Sequence, residues 1–124
     1  MRTVQQIAFT HFLLCLAAFL SVAQLAACGP EPLVVYGSDV HAFTMSTGQE
    51  LDITLSTVGP GQYDSLPVIS SLALRFVDMS FVGPNTPAGP NQRFRFNAVS
   101  SGRATIFFNH SNTTRSVLDT VDVR

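Results

Sequence analysis

Residues 93–99 read Arg-Phe-Arg-Phe-Asn-Ala-Val, and residues 50–56 read Glu-Leu-Asp-Ile-Thr-Leu-Ser. In both stretches apolar and polar side chains alternate, so that Phe94, Phe96 and Ala98 project to one side and their polar neighbours to the other. This period of two predicts β-strands with one buried face and one solvated face. A helix would scatter the same residues around its circumference.

Five further strands are predicted, each bounded by Gly, Pro or polar residues: 33–36, 40–45, 71–82, 103–110 and 116–123. The apolar residues of 71–82 change phase halfway along the run, which indicates a β-bulge or a strand that moves between sheets. Phe107 and Phe108 are adjacent, so one ring must point away from the core, partly covered by a neighbouring loop. About seven short strands with Gly and Pro turns predict an all-β fold, an immunoglobulin-like two-sheet β-sandwich over residues 33–124.

The start of the chain is typical of a secretion signal. Arg2 is the cation of a short polar start, residues 7–22 are mostly apolar, and small residues follow. The apolar run contains polar residues and is shorter than the roughly 20 clean apolar residues of a membrane-spanning helix. We therefore expect residues 1–27 to be a helical signal peptide that is removed from the mature protein.

Residues 25–28, Leu-Ala-Ala-Cys, resemble the lipobox of bacterial lipoproteins, in which the cysteine is acylated with fatty acids such as palmitate and becomes the first mature residue. The resemblance implies lipidation of Cys28, a tether over residues 28–32, and attachment to membrane lipid in the bacterial cell envelope. Gly29 in place of Asp favours the outer membrane over the inner one. Ordinary Ala-x-Ala cleavage within residues 23–27 is the alternative.

Composition after the leader excludes several functions. Arginines and carboxylates are nearly balanced and interspersed, and there is no lysine, so no basic stripe is available for nucleic acid. The two cysteines lie in the leader and at its end, which leaves no thiol for a disulfide, a zinc site or a nucleophile. His41 is interpreted as an outward strand residue, and Asp119 and Asp122 as part of a solvated strand face. No catalytic or metal pattern appears, so we expect no enzyme activity, cofactor, metal or small-molecule substrate.

Three loops rich in Gly, Pro, Asn and Thr are the segments best suited to bind a partner: the first loop (57–64), the second loop (83–90) and the third loop (110–114). In a sandwich, loops that join alternate strands gather at one end, and rigid loops lose little entropy on binding. The residues predicted to form the binding surface are Gly59, Pro60, Gly61, Gln62, Tyr63, Pro87, Ala88, Gly89, His110 and Asn112.

From about residue 40 onward, the order of strands and loops resembles the chagasin family of cysteine-protease inhibitors. Residues 48–55, Gly-Gln-Glu-Leu-Asp-Ile-Thr-Leu, are similar to one strand pattern of that family, and residues 94–102, Phe-Arg-Phe-Asn-Ala-Val-Ser-Ser-Gly, to another. The resemblance implies an immunoglobulin-like fold. It also implies a steric inhibitor whose loops fill a papain-like cleft without offering a cleavable bond.

The loops depart from the family pattern. One residue separates Gly61 from Tyr63, and His110-Ser-Asn stands where Arg-Pro-Trp is usual. Two hypotheses therefore stay open. One is a membrane-anchored inhibitor of a papain-like cysteine protease. The other is a non-inhibitory envelope adaptor or structural domain that binds another envelope protein.

Overall fold

The structure is a computed structural model that describes residues 29–37, 40–57, 60–83 and 89–124. Within these residues the chain forms eight strands: β1 Leu33–Tyr36, β2 Ala42–Met45, β3 Glu50–Leu55, β4 Val68–Ile69, β5 Leu74–Val82, β6 Asn91–Ala98, β7 Gly102–Phe108 and β8 Val117–Val123. A short 3-10 turn, Thr113–Arg115, precedes β8. The sequence did not predict β4, because two residues are too few to show alternation. The predicted leader and Cys28 lie outside the described residues.

The strands form two four-stranded sheets, in the orders β1-β3-β6-β5 and β2-β8-β7-β4. Two edge pairs are parallel, β1 with β3 and β2 with β8, and the other neighbours are antiparallel. This arrangement confirms the predicted all-β, immunoglobulin-like two-sheet sandwich. No helix in the described parts of the chain has the length and apolar character needed to cross a membrane.

Phenylalanine rings fill the centre between the sheets. Phe94 and Phe96 on β6 are fully buried, as their alternation predicts, and Phe108 of β7 meets them from the opposite sheet. The ring centroids of Phe94 and Phe108 are 4.9 Å apart and the planes are steeply inclined, an arrangement in which the positive edge of one ring meets the negative face of the other. Of the adjacent pair, Phe107 is the ring that points away from the core, as predicted, and it is exposed. Its in-register neighbours, Val68 and Leu118, are strand residues, so its cover by a loop stays a prediction.

The phase change in the 71–82 run is a β-bulge. The register of β5 against β6 shifts between Phe76 and Asp78, so Val77 is the extra residue. Phe76 and Met79, three positions apart, consequently both pack against the core. The bulge keeps the strand in one sheet and turns two out-of-phase apolar residues to the same side.

Three polar residues that were predicted to face solvent are buried instead. Asp52 and Thr54 on β3 are covered because β3 lies between β1 and β6, and the guanidinium of Arg93 on β6 donates a hydrogen bond to Asp52. Asp119 on β8 is only 2% exposed, because it belongs to the inward series of that strand. Asp122 keeps a more accessible carboxylate, which pairs with the exposed Arg103.

The two ends of the sandwich carry different segments. One end, here called the loop pole, carries residues 60–63, 89–90 and 109–116, where β3, β5 and β7 finish. The opposite end, here called the tether pole, carries residues 29–32 and the turns that precede β3, β5 and β7. The Val99 amide hydrogen-bonds the Ala73 carbonyl (2.8 Å), and the Thr47 amide hydrogen-bonds the Arg124 carbonyl (3.1 Å), so this pole is closed by turns tied to one another.

Candidate functional site

The first and third loops are joined by hydrogen bonds into one surface at the loop pole. Tyr63 and His110 form an isolated antiparallel β-bridge. Next to it, the Ser111 amide donates to the Gln62 carbonyl (3.1 Å), and the Gln62 amide donates to the Ser111 hydroxyl (3.0 Å). Two segments that are far apart in sequence are therefore joined by hydrogen bonds into one unit. The expectation that these loops gather at one end is met for their described residues.

Tyr63 and His110, predicted as contact residues, are in the interior beneath this surface. They are 5% and 1% exposed, and their rings meet edge to face with centroids 4.7 Å apart. His110 Nδ1 accepts a hydrogen bond from the Asn112 amide (2.9 Å), so the ring proton belongs on Nε2 in the neutral imidazole. Neither ring is available for direct contact in this conformation. Both support the exposed residues above them.

A buried glutamine fastens the first loop to the sheet. Gln92 on β6 accepts from the Tyr63 amide (2.7 Å) through Oε1 and donates to the Tyr63 carbonyl (2.9 Å) through Nε2. The side-chain amide thus replaces a strand partner for this part of the backbone. Gln92 was not predicted from the sequence, although its core-facing position in an alternating strand was a usable signal.

The phenol of Tyr63 adds a second attachment. Its hydroxyl donates to the Arg115 carbonyl (3.1 Å) in the 3-10 turn. Burial raises the pKa of Tyr63 above its ordinary value, an effect partly opposed by the nearby Arg115 charge. The phenol therefore stays protonated at neutral pH and keeps its role as a donor.

Gly61 lies where the first and third loops make their closest approach. Its φ is +105°, and a Cβ there would overlap the Ser111 hydroxyl and lie 3.0 Å from Cε1 of His110. Glycine is required both by the backbone conformation and by the space. Pro60, Gly61 and Gln62 are exposed and form the tip of the site. Gly59, predicted as part of the same surface, lies outside the described residues.

Of the second loop, the structure describes Gly83 at its start and the last two residues, Gly89 and Pro90. Thr57, in the first loop, donates a hydrogen bond from its hydroxyl to the Pro90 carbonyl, and a Cβ on Gly89 would lie 3.1 Å from the same hydroxyl oxygen. Gly89 therefore lies beside the first loop, as predicted. Pro87 and Ala88 are outside the described residues, so their part in the binding surface stays a prediction.

Asn112 shapes the third loop from its exposed side. Its side-chain oxygen accepts from the Thr114 amide (3.3 Å) and from the Thr114 hydroxyl (2.8 Å), which caps the 3-10 turn. Capping satisfies an amide that the turn leaves without a partner. Asn112 thus combines an exposed position at the loop pole with a structural role.

A cleft of about 470 Å³ lies beneath the loops, between the two sheets. His41, Tyr63 and Arg115 are among the residues that line it, and His41 Nδ1 is 3.0 Å from Oδ1 of the buried Asp119. Burial raises the pKa of Asp119, an effect partly opposed by the hydrogen bond from His41. His41 is exposed, as predicted, but it also covers a carboxylate that the sequence placed in solvent.

Two features of the surface were missed by the sequence analysis. Tyr36, the last residue of β1, is 78% exposed at the loop pole. On the outer face of the second sheet, Val68, Phe107 and Leu118 are aligned in register across β4, β7 and β8, and all three are exposed. We call these three residues the apolar row. Among the described residues, no group of three or more His, Cys, Asp or Glu side chains is arranged to hold a metal ion.

Comparison with known proteins identifies the fold. No family model and no curated protein matches the sequence. The structure is similar to the crystal structure of the cysteine protease inhibitor EhICP2 from Entamoeba histolytica, with a TM-score of 0.61 and 17% identity, covering 77% of this chain and 100% of the inhibitor. It is also similar to the solution structure of amebosin, with a TM-score of 0.59 and 18% identity, covering 75% of this chain and 99% of amebosin. At sequence identities this low, the similarity is evidence for a shared fold only.

Proposed function

We propose that this protein is lipid-anchored in the bacterial envelope and binds a protein partner through the loop pole, and that the partner is a papain-like cysteine protease which it inhibits. One observation carries the proposal. The first and third loops are hydrogen-bonded into a single exposed surface, on a fold that matches the full length of a cysteine protease inhibitor.

The internal bonding of the loops supports a binding role. A loop that is already ordered loses less entropy when it associates, so more of the contact energy appears as affinity. Here the first loop is held by three sets of hydrogen bonds: those with the Gln92 side chain, those with Ser111, and the bond from the Tyr63 hydroxyl to the Arg115 carbonyl. Such bonding is more than a solvated turn needs, and it leaves Pro60, Gly61 and Gln62 to face outward on a fixed base.

The shape of the tip favours inhibition over cleavage. Gly61 has a φ of +105°, so the chain turns at this point and does not run as an extended strand. A protease cleaves a strand laid along its cleft, whereas a turn braced on both sides blocks the cleft without presenting a peptide bond in that form. The tip itself is uncharged. Tyr36 and Arg115 are also exposed at the loop pole, and both are residue types that are enriched where binding energy is concentrated.

The position of the tether is compatible with this role. Residues 29–32 emerge at the pole opposite the loops, and the Gln49 side chain donates to the Glu31 carbonyl (2.8 Å) there. With lipid on Cys28, the sandwich would stand between the membrane and the loops. The proposed partner would then meet the loops from the aqueous side.

The experiment is an inhibition assay against papain with the mature protein in detergent. We expect inhibition at or below micromolar concentration, with the inhibitor recovered uncleaved. Gln62→Ala should raise the inhibition constant about tenfold, which corresponds to about 1.4 kcal/mol. Thr47→Ala, at the tether pole, is the matched control and should leave it unchanged. Absence of inhibition at micromolar concentration would reject the protease partner.

The apolar row supports a second candidate, a non-inhibitory adaptor that binds another envelope protein through a sheet face. Aligned exposed apolar side chains mark many protein interaction surfaces. Cross-linking in native envelopes distinguishes the two candidates. Loss of a cross-linked partner in Phe107→Ser, with the partner retained in Gln62→Ala, would favour the adaptor. The opposite pattern would favour the loop pole.

A further inference from the structure

The turns of the tether pole expose two large apolar side chains. Leu72 is 93% exposed and Val99 is 51% exposed. We propose that this pole rests on the lipid bilayer and that Leu72 and Val99 insert into its interfacial layer. The inference rests on the lipid anchor at Cys28 that forms part of the proposed function.

A continuous set of hydrogen bonds connects these two side chains with the tether. The Val99 amide donates to the Ala73 carbonyl (2.8 Å), which fixes the Leu72 turn beside it. The preceding residue, Ala98, exchanges backbone hydrogen bonds with the turn at residues 48–49, and Gln49 in turn donates to the Glu31 carbonyl (2.8 Å). Leu72, Val99 and the tether therefore belong to one braced surface and keep a fixed relation to one another.

The length of the tether determines what this surface meets. Glu31, which is hydrogen-bonded to the body, is the third residue after Cys28. The three steps of chain from Cys28 to Glu31 span at most about 11 Å when fully extended. The headgroup layer of one leaflet is itself roughly 5–8 Å thick. Acyl chains on Cys28 would thus hold the tether pole at the headgroups, where exposed apolar side chains gain by leaving water.

The chain that precedes the described residues points to the same occupant. This preceding chain joins the body at Gly29, on this pole, and contains the apolar run 7–22 as well as Cys28. When the leader is removed and Cys28 carries lipid, the membrane-anchored end of the mature chain joins the body at this pole. A bilayer is therefore a better match to this pole than a second protein, which has no comparable link to it.

The charges of the pole indicate contact by apolar burial and not by attraction to anionic lipid. Arg103 is paired with Asp122 through two hydrogen bonds of 2.8 and 3.1 Å. The pole also carries the cations Arg75 and Arg124 and the acidic Glu31, so charges of both signs are mixed there. A segment that binds anionic headgroups contains a cluster of Lys and Arg residues, which this pole does not resemble. Docking should therefore withstand molar salt and occur on zwitterionic lipid.

The test places a polarity-sensitive fluorophore on the full, lipidated protein in phosphatidylcholine vesicles. Acylation consumes the Cys28 thiol, so Leu72→Cys introduces a unique thiol on an exposed turn. Leu118→Cys, an exposed leucine on a sheet face, is the matched apolar control, and Asn112→Cys reports on the loop pole. We expect blue-shifted emission and several-fold stronger quenching by brominated lipid at position 72 than at the two controls, unchanged in molar salt.

Each other outcome is decisive. Equal emission and quenching at positions 72 and 118, with the protein still bound to vesicles, would overturn the docking and leave the anchor intact. Labelling of the parent protein at Cys28, or its recovery free of vesicles, would overturn the anchor and the docking together. Stronger quenching at position 112 than at 72 would mean that the loop pole faces the lipid, which would contradict the proposed orientation.

Discussion

Replacing Gln92 with methionine removes the amide that fastens the first loop to β6 and keeps the length of the side chain. Gln92 is fully buried and bonds both the amide and the carbonyl of Tyr63. Because Tyr63 is itself buried, water cannot replace these bonds without opening the loop. Gln92→Met therefore tests whether the loop pole is held by this clamp.

The magnitude follows from the two backbone groups that lose their partner. Each buried, unsatisfied polar group costs about 1–3 kcal/mol. The new thioether is more apolar than the amide, and its burial returns about 1 kcal/mol. We therefore expect Gln92→Met to lower the free energy of unfolding by about 3 kcal/mol, a large share of the stability of a small domain.

Urea denaturation measures the loss, and hydrogen exchange at the Tyr63 amide locates it. Gln62→Met, the same substitution one residue before Tyr63 at an exposed position, is the control and should change stability by less than about 0.5 kcal/mol. The proposed inhibition should weaken in Gln92→Met, because the tip must then be ordered on binding. A loss below about 1 kcal/mol with unchanged exchange at the Tyr63 amide would refute the clamp.

Three further changes test other parts of the site. Gly61→Ala should destabilise the protein by about 1–3 kcal/mol, because φ is positive and the Cβ would overlap Ser111; an unchanged melting temperature would contradict this. Burial raises the pKa of Asp119 above its ordinary value, so the stability that comes from the protonated carboxyl is lost as pH rises through the folded-state pKa. Denaturation curves should therefore show Asp119→Asn gaining stability relative to the parent as pH rises above the ordinary carboxyl pKa, and a parallel pH dependence of the two proteins would rule this out. Tyr36→Ala should weaken papain inhibition without changing the urea midpoint, and equal inhibition would remove Tyr36 from the interface.

Strand positions could be predicted because alternation is a local property. β6 and β3 were visible in their period of two, and the bulge in β5 was visible as a phase change. The two-residue strand β4 was not, because pairing with β7 defines it and its own residues do not. The loops at the site could be predicted from their Gly and Pro content, but their mutual bonding could not, since Gln62 and Ser111 are 49 positions apart.

The all-β class and the separation of apolar from polar strand faces follow from residue patterns alone, because both depend on neighbours along the chain. Tertiary structure alone decided that Gln92, His110 and Asp119 are enclosed, because the cover over each comes from a distant segment. It also decided that Tyr63 is buried against His110, beneath the exposed tip of the loop pole. A polar residue in a sequence shows what it can bond to, whereas its burial depends on which other part of the chain closes over it.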